Sequence, residues 1–198
     1  DHLTGLHDRP ELLASCGQPS YAVQVRVVNE NGNDVQSGER GEVIFSGPHV
    51  MKGYYRDVER TEEVLIDNWM HSGDIAEVSE DGFIYIVDRK KNLIIRGGLN
   101  IAPTEIENVL YKHEDILEAT VIGIPDPEWG EAIIAIVALN QGASVTSEEL
   151  RLHCRTSELT SIKIPERVEI WDSLPKNAVG KIAKNKIREV FWGDGRQV

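Results

Sequence analysis

Alternation of apolar and polar residues marks the first part of the chain as mostly β. In residues 21–29, valine recurs at alternate positions, which places it on one face of an extended segment. A period of two is typical of a half-buried strand, so a strand is predicted here. Further strands are predicted at residues 41–46, 76–78 and 83–87. The last two flank Asp81-Gly82, a dipeptide that favours a hairpin turn.

After residue 88 the period changes to that of helices between apolar strands. Residues 103–113 place apolar side chains three and four positions apart, which predicts a helix beginning at Pro103. Thr146 and Glu149 have the spacing of a capping box, so a second helix is predicted from about residue 147 to residue 159. The other predicted elements are strands at residues 92–95, 116–124, 132–139 and 168–171 and a last helix at 182–191.

This order of elements predicts an α+β fold in two parts. Residues 1–88 are predicted to form a mostly-β subdomain, a distorted barrel or antiparallel sheet. Residues 89–198 are predicted to form a small α+β domain with a central sheet and flanking helices, a usual size for one domain. The boundary is expected between residues 88 and 91, where the character of the sequence changes.

Charge and cysteine content exclude some classes of function. The 198-residue chain carries a formal net charge of −12, which argues against general nucleic-acid binding because that requires a basic surface. Apolar runs are too short to predict a membrane-spanning helix, and the first residues do not resemble a signal peptide. Cys16 and Cys154 lack disulfide or metal spacing. The histidines form no metal-spaced set either, so no metal ligation is expected, and the expected setting is reducing and cytoplasmic.

The segment His71-Ser72-Gly73-Asp74 is the first candidate for nucleotide chemistry. It is predicted to be a strand that ends in a turn, with the Asp74 carboxylate presented on the turn with little bulk around it. An acidic residue in such a position can accept two hydrogen bonds from a ribose diol. The alternative is that Gly73-Asp74 is simply a turn, which is the commoner meaning of these two residues.

Two further segments lie at the predicted boundary. Arg89, in Asp88-Arg89-Lys90-Lys91, offers a fork of donors to ribose or phosphate oxygens, and the lysines lie where a hinge is expected. Gly97 and Gly98 follow a strand and Arg96, and their lack of side chains lets the backbone approach a ligand closely. The alternatives are a solvated charged loop for the first segment and an ordinary strand-to-helix turn for the second.

Lys181 follows Gly180 just before the last predicted helix, in a loop suited to the handling of an anion. A phosphate-binding P-loop would need Gly at position 175 and Ser or Thr at position 182. The chain has Pro175 and Ile182 instead, so that motif is rejected. What remains is a mobile lysine able to pair with a carboxylate and a phosphate together. The alternative is a surface lysine ahead of a helix.

Four segments, taken in order along the chain, resemble the C-terminal part of the adenylate-forming enzymes, the acyl-CoA synthetases in particular. They are residues 41–55, 69–74, 88–107 and 175–184. Together they extend over nearly the whole chain. His71-Ser72 departs from the Arg-Thr that is usual in the second segment, and Leu99 and Ala102 depart from residues common in the third.

The resemblance implies roles for the candidate residues. Asp74 would bind the ribose hydroxyls of ATP or AMP, and Arg89 would contact the ribose or the phosphates. Lys181 would be the adenylation lysine, in contact with the substrate carboxylate and the α-phosphate. Gly97 and Gly98 would line the tunnel for the pantetheine of coenzyme A. Mg²⁺ would accompany ATP without ligands from this chain.

The resemblance also assigns the two predicted domains. Residues 1–88 would be the C-terminal end of the large AMP-binding domain, and residues 89–198 would be a mobile lid that rotates about Lys91. The family's Ser/Thr/Gly-rich phosphate loop, its aromatic-x-x-Thr-Glu motif and its acyl pocket all precede this region. The chain is therefore expected to be a C-terminal fragment that needs the missing N-terminal domain and has no ligase activity alone.

The implied function is ATP- and CoA-dependent ligation of a carboxylic acid to a thiol by way of an acyl-adenylate. One alternative is a peptide-synthetase-type adenylation domain that loads a carrier protein, against which Gly97-Gly98 argues. Another is a non-catalytic docking module with the lid fold, against which the retention of Asp74, Arg89 and Lys181 argues. The acid is not predicted, because the acyl pocket lies upstream.

Overall fold

The computed structural model describes residues 9–192, so the first eight residues of the predicted first domain and the last six of the second lie outside the described range. The chain divides into two compact units, Asp1–Lys90 and Lys91–Val198, and each contains its own five-stranded sheet. Helices accompany both sheets, so the α+β fold class predicted from the order of elements is confirmed.

The sheet of the first unit is antiparallel. Its strands are β1 (Gln24–Val28), β2 (Arg40–Ser46), β3 (Leu65–Ile66), β4 (Trp69–Val78) and β5 (Ile84–Arg89). Strand β4 is central, because β2, β3 and β5 all pair with it, while β1 pairs with β2. The buried cluster consists of Val27, Val43, Ala76 and Ile84. The alternating valines of residues 21–29 therefore predicted a real strand, although it is shorter than expected.

A short helix, α1 (Val58–Val64), lies between β2 and β3 and was not predicted. Every residue of it is at least partly exposed, so it presents no apolar face and shows no helical period. Its first turn is defined instead by a cap: the Asp57 carboxylate accepts a hydrogen bond from the Arg60 amide at 3.1 Å. A single 3₁₀ turn, Pro10–Ala14, precedes β1.

The second unit is built around β9 (Gly130–Leu139), whose residues 132–138 are all buried. The other strands are β6 (Ile94–Arg96), β7 (Leu99–Ile101), β8 (Ile116–Asp126) and β10 (Arg167–Ile170). Strand β8 pairs with β9 in a long antiparallel hairpin, β10 runs parallel to β9, and β6 pairs with the start of β9 through Arg96 and Gly130.

Alternate residues of β9 belong to two different hydrophobic clusters. Residues 133, 135 and 137 pack in the cluster that includes α2 (Pro103–Leu110) and α3 (Ser147–Arg155). Residues 134, 136 and 138 pack in the cluster that includes α4 (Lys184–Trp192). Because successive side chains of a strand point to opposite faces, β9 is covered on both faces. This explains why its sequence is a continuous apolar run without alternation.

The helices of the second unit begin largely where they were predicted. The capping box is confirmed, since the Thr146 hydroxyl accepts from the Glu149 amide at 3.3 Å and the Glu149 carboxylate accepts from the Thr146 amide at 2.8 Å. Helix α3 ends at Arg155 rather than near residue 159. The Thr156 hydroxyl donates to the Leu152 carbonyl at 3.0 Å, and such a side-chain bond competes with continuation of the helix.

Candidate active site

Asp74 lies inside β4, so the predicted strand-end turn at this position is wrong. Residues 72–74 form a bulge opposite Val43, because Glu42 pairs with Ile75 whereas Ile44 pairs with His71. Gly73 adopts a φ of +72°, a left-handed conformation that glycine adopts without strain. The extra residues bend the strand locally while the ladder resumes on either side. The glycine therefore serves a bulge within a continuous strand.

Side-chain hydrogen bonds hold the bulge. The Ser72 hydroxyl donates to the Val43 carbonyl at 2.6 Å and accepts from the Asp74 amide at 3.0 Å. The Gly73 amide, which the bulge removes from the regular ladder, donates to a carboxylate oxygen of Glu42 at 3.1 Å. The backbone that carries Asp74 is thus fixed from both sides, which defines the direction in which its carboxylate leaves the strand.

Arg89 faces Asp74 directly on the neighbouring strand β5. Its Nε lies 3.1 Å from Asp74 Oδ1, and the side chains are 62% and 30% exposed respectively. The pair therefore combines a partly exposed carboxylate that accepts hydrogen bonds with a guanidinium whose side chain is mostly exposed. A carboxylate suits a ribose diol and a guanidinium fork suits phosphate oxygens, so the two predicted nucleotide-binding residues fit that ligand.

Glu42 is a third member of this site that the sequence did not single out. Besides Gly73, its carboxylate contacts the Lys90 ammonium at 3.0 Å and lies 3.3 Å from His71 Nδ1. Burial raises the pKa of Glu42, but hydrogen bonds from Lys90, His71 and the Gly73 amide outweigh it, and the pKa lies below its ordinary value. Glu42 itself lies in the family-like segment 41–55, which was the available signal.

Lys91, the predicted hinge, is exposed and lies within a single 3₁₀ turn, Lys90–Asn92. It is the first residue of the second unit. Its role as a hinge remains a prediction, and so does the assignment of residues 1–88 and 89–198 to a large domain and a lid.

Gly97 and Gly98 form the two-residue loop of a hairpin between β6 and β7, in place of the strand-to-helix turn considered above. Their φ values are +56° and +78°, the positive pair that a tight hairpin turn of this length favours. A Cβ on Gly97 would meet the Trp129 ring at 2.9 Å, whereas a Cβ on Gly98 would enter open space. Gly97 is therefore closely packed, and Gly98 leaves the tip of the hairpin open to an approaching group.

The base of this hairpin is held by Arg96. Its Nη2 lies 2.5 Å from a carboxylate oxygen of Glu166, and its guanidinium stacks over the Trp129 ring with 5.7 Å to the centroid. The Arg96 side chain is only 12% exposed, so this ion pair and the Trp129 contact fix the strand from which the glycines project.

Lys181 ends a loop that closes on itself through backbone hydrogen bonds. The Asn177 amide donates to the Lys181 carbonyl at 2.8 Å. The Asn177 side chain accepts from the amides of Val179 and Lys181 at 3.1 and 2.9 Å. Gly180 completes the turn with a φ of +81°. The Lys181 side chain is exposed, and within residues 9–192 its ammonium has no hydrogen-bond or ion-pair partner. A fixed backbone with a free ammonium suits a lysine that must meet an anion.

The residues after this loop are anchored by Lys184, which the sequence did not single out either. Its ammonium contacts a carboxylate oxygen of Glu107 on α2 at 2.7 Å, and the two side chains are 19% and 14% exposed. The same oxygen accepts from the Val121 amide on β8 at 2.8 Å. The start of α4 is therefore tied to both α2 and β8, three residues beyond Lys181.

Three general features of the described residues accompany the site. Over the described part of the chain, residues 9–192, the His, Cys, Asp and Glu side chains form no group of three that could hold a metal ion. In the same range, every helix is too short or too polar to span a bilayer. Both cysteines are free thiols, Cys16 exposed and Cys154 buried.

Comparison with protein families gives two matches. Residues 105–181 match the AMP-binding enzyme C-terminal domain, and residues 3–55 match the AMP-binding enzyme family. A feruloyl-CoA synthase of Amycolatopsis sp is 45% identical over 181 residues, and a long-chain-fatty-acid–CoA ligase of Yersinia pestis is 45% identical over 183. These alignments cover 91% and 92% of this chain. The chain spans only 37% and 32% of the length of those relatives.

Solved structures are similar over the same extent. ATP-bound MatB from Rhodopseudomonas palustris has a TM-score of 0.84 at 32% identity, with 90% of this chain and 36% of that one covered. The o-succinylbenzoate CoA synthetase MenE from Bacillus subtilis, in complex with its acyl-adenylate, has a TM-score of 0.84 at 33% identity, with 96% and 38% covered. The chain therefore belongs to the superfamily of adenylate-forming, AMP-binding enzymes and matches its C-terminal portion.

Proposed function

We propose that this chain provides the C-terminal part of an ATP-dependent acid–thiol ligase, an enzyme that forms an acyl-adenylate and then an acyl-CoA thioester. The observation that carries this proposal is the cross-strand pair of Asp74 and Arg89, 3.1 Å apart on a glycine bulge and partly open to solvent. A docking module has no need of such a pair. The relatives that carry acyl-CoA ligase names, at 45% identity, support the same reaction class.

The nucleotide contacts follow from the chemistry of this pair. Asp74 has an acceptor oxygen beyond the one that faces Arg89, so it can accept hydrogen bonds from the ribose hydroxyls of ATP or AMP. Arg89 has donors beyond Nε that can reach ribose or phosphate oxygens. The ATP-bound MatB and the adenylate-bound MenE support the assignment of this ligand class. Mg²⁺ would arrive with ATP, bound to its phosphates rather than to this chain.

Lys181 is proposed as the lysine of the adenylation step. That step brings a substrate carboxylate onto the α-phosphate, so two negative groups must approach each other. A lysine ammonium between them offsets the repulsion, most strongly in a site that excludes water. The free, exposed ammonium on a closed loop supports this role.

The second unit is proposed to act in the thioester step as well. Gly98 leaves an open hairpin tip where the pantetheine of coenzyme A can pass close to the backbone, and Gly97 keeps the hairpin packed on Trp129. Residues 89–198 would be the mobile lid and would rotate about Lys91, while residues 1–88 would complete the large domain. The position of Lys91 at the first residue of the second unit supports that assignment.

The proposal extends to partners and setting. Adenylation would need the remainder of the large domain, so the 198 residues alone would not turn over, and the ligase would act in the cytoplasm on a carboxylic acid. The two similar ligases act, by their names, on a feruloyl group and on long-chain fatty acids, so both acid classes belong in the test. An amide bond synthetase from Marinactinospora thermotolerans, 38% identical with a TM-score of 0.83, adds an amine as a second acceptor class.

The decisive experiment measures ATP-dependent thioester formation with aromatic, short-chain and long-chain acids. It compares the chain alone with the complete ligase polypeptide that carries it, and offers CoA, a pantetheinyl carrier protein and a simple amine as acceptors. Thioester formation with CoA by the complete polypeptide only is the expected result. Transfer only to the carrier or only to the amine would replace the acid–thiol assignment, and the absence of any adenylation by the folded complete polypeptide would overturn it.

A further inference from the structure

Glu42, on β2, contacts β4, which carries Asp74, and also Lys90, which directly follows β5 and Arg89. Its Oε1 accepts the Gly73 amide hydrogen at 3.1 Å in the β4 bulge, and its Oε2 lies 3.0 Å from the Lys90 ammonium at the end of β5. Gly73 immediately precedes Asp74, and Lys90 immediately follows Arg89. One carboxylate therefore contacts the neighbour of Asp74 through one oxygen and the neighbour of Arg89 through the other.

We propose that Glu42 is a positioning residue for nucleotide binding, which sets the relative placement of Asp74 and Arg89 without touching the nucleotide itself. This inference rests on the proposed function, because it concerns the same site. It adds a residue that acts through two others and identifies the two contacts, to Gly73 and to Lys90, through which it acts.

The surroundings of Glu42 suit this role better than that of a surface charge. Its side chain is 12% exposed, whereas that of Lys90 is 62% exposed. The charged or titratable groups that face the carboxylate are Lys90, from the end of β5, and His71, from β4 itself. Hydrogen bonds from these groups and from the Gly73 amide keep the pKa of Glu42 low despite its burial, so the carboxylate is ionised at neutral pH.

The two oxygens of the Glu42 carboxylate have different partners, the Gly73 amide and the Lys90 ammonium. The bulge leaves the partly buried Gly73 amide without a ladder partner, and an amide withdrawn from water without an acceptor costs free energy. The Lys90 ammonium forms its ion pair with the other oxygen of the carboxylate. A glutamine at position 42 offers one acceptor oxygen and one NH₂ group. It can therefore accept a hydrogen bond from either the Gly73 amide or the Lys90 ammonium, but it presents a donor to the other group. Glu42→Gln therefore keeps the size of the side chain but removes one of its two contacts.

The test is the steady-state kinetics of the complete ligase with the Glu42→Gln substitution. We expect the KM for ATP to rise about 10-fold or more while kcat of adenylation changes less than about threefold, because the loss is one of ground-state and transition-state binding alike. Binding of AMP, measured by calorimetry without turnover, is expected to weaken by the same factor. Thioester formation from preformed acyl-adenylate is expected to keep its rate.

Glu77→Gln is the matched control, since Glu77 lies on β4 in the same sheet and its carboxylate is 43% exposed and 4.0 Å from Arg40. A KM for ATP in Glu42→Gln that equals that of Glu77→Gln overturns the inference. So does a loss of thermal stability in Glu42→Gln with an unchanged KM, since that would show a purely structural role.

Two further variants complete the design. Lys90→Met removes only the contact between Lys90 and Glu42. Combined with Glu42→Gln, it is expected to add little to the KM for ATP of Glu42→Gln alone, because both substitutions disrupt this same contact. Full additivity would contradict the coupling that the inference requires. Asp74→Asn tests the proposed function itself: if it leaves AMP binding intact, the nucleotide assignment fails. If it weakens AMP binding while Glu42→Gln does not, only the role of Glu42 fails.

Discussion

The two units hold their candidate residues in opposite ways. In the first unit, Asp74 and Arg89 lie on paired strands and are bonded to each other, so strand register sets their geometry. In the second unit, Lys181 sits on a loop that is closed by its own backbone and the Asn177 side chain, and its ammonium is exposed. A side chain fixed by a sheet suits a ligand group bound throughout a reaction. A free one on a defined loop suits a contact that is made in one step and released in another.

The buried cores of the two units also differ, and the second unit has the larger core. The sheet of the first unit encloses a small buried cluster that includes Val27 and Ala76. In the second unit, β9 is buried on both faces between two clusters. The loop that carries Lys181 thus belongs to the more deeply packed unit, and the mostly buried pair of Lys184 and Glu107 anchors the residues that follow it. Freedom at the lysine tip is therefore combined with a firm base.

The largest expected effect that tests this difference between the units is that of the substitution Lys181→Ala in the complete ligase. Adenylation is expected to fall by roughly 10²–10³, the scale for one electrostatic donor in a transition state. Thioester formation from a preformed acyl-adenylate should be far less affected, because the lysine acts in one step only. Pyrophosphate exchange and single-turnover thioester assays measure the two half-reactions. Lys186→Ala, on the exposed side of α4, is the control, and equal loss in both half-reactions would contradict the role.

The corresponding test in the first unit is Asp74→Asn. Loss of the carboxylate charge removes hydrogen bonds to the ribose and leaves Arg89 without its counter-ion, so the KM for ATP is expected to rise about 10- to 100-fold. Steady-state kinetics with varied ATP measure this effect. Asp34→Asn disrupts a comparable exposed pair with Arg26, 2.7 Å apart, and should leave that KM unchanged. A similar rise in both variants would mean that a general loss of charge, rather than a ribose contact, is responsible.

A smaller effect separates the two glycines of the β6–β7 hairpin. Gly97→Ala combines a left-handed φ with a 2.9 Å approach to Trp129, whereas Gly98→Ala meets only the left-handed φ. We expect a loss of about 2–3 kcal/mol for the first and about 1–2 kcal/mol for the second in the free energy of unfolding. Urea titration of the two variants gives the difference. Equal losses would show that Trp129 moves aside readily and that the hairpin is less firmly packed than described.

The smallest effect concerns the deeper core of the second unit. Burial raises the pKa of the Cys154 thiol to about 11 from 9.0. A raised thiol pKa means that the folded state keeps its proton longer than the unfolded state, so stability falls as pH rises from about 9 towards 11. The free energy of unfolding at pH 8 and pH 10.5 is expected to fall more in the parent chain than in Cys154→Ala. An equal fall in both would show that this thiol is not held neutral by the core.

Particular residues show which structural features could be predicted from the sequence. The capping box at Thr146 and Glu149 and the strand at β1 were predicted correctly because their signals lie within a few residues of each other. Helix α1 was not predicted because none of its residues is buried, so its sequence has no apolar period, and its start is marked only by the Asp57 cap. Strand β7, three residues long, escaped because it is too short to show a period. Asp74 was singled out as a nucleotide-binding candidate, and that role stays a prediction. Its bulge was mistaken for a turn, because the register between β4 and β2 on either side of Val43 is not visible in the local sequence.

The sequence alone was enough to predict the α+β order of elements and the change of character near residue 88, and to nominate Asp74, Arg89 and Lys181 as candidates. It did so because periodicity, capping and glycine placement are local properties of the chain. The folded chain was needed to reveal that Glu42 contacts both Gly73, 31 residues away, and Lys90, and that Lys184 contacts Glu107, 77 residues away. Such contacts depend on strand register and helix packing, which bring distant side chains within hydrogen-bonding distance only after the chain has folded.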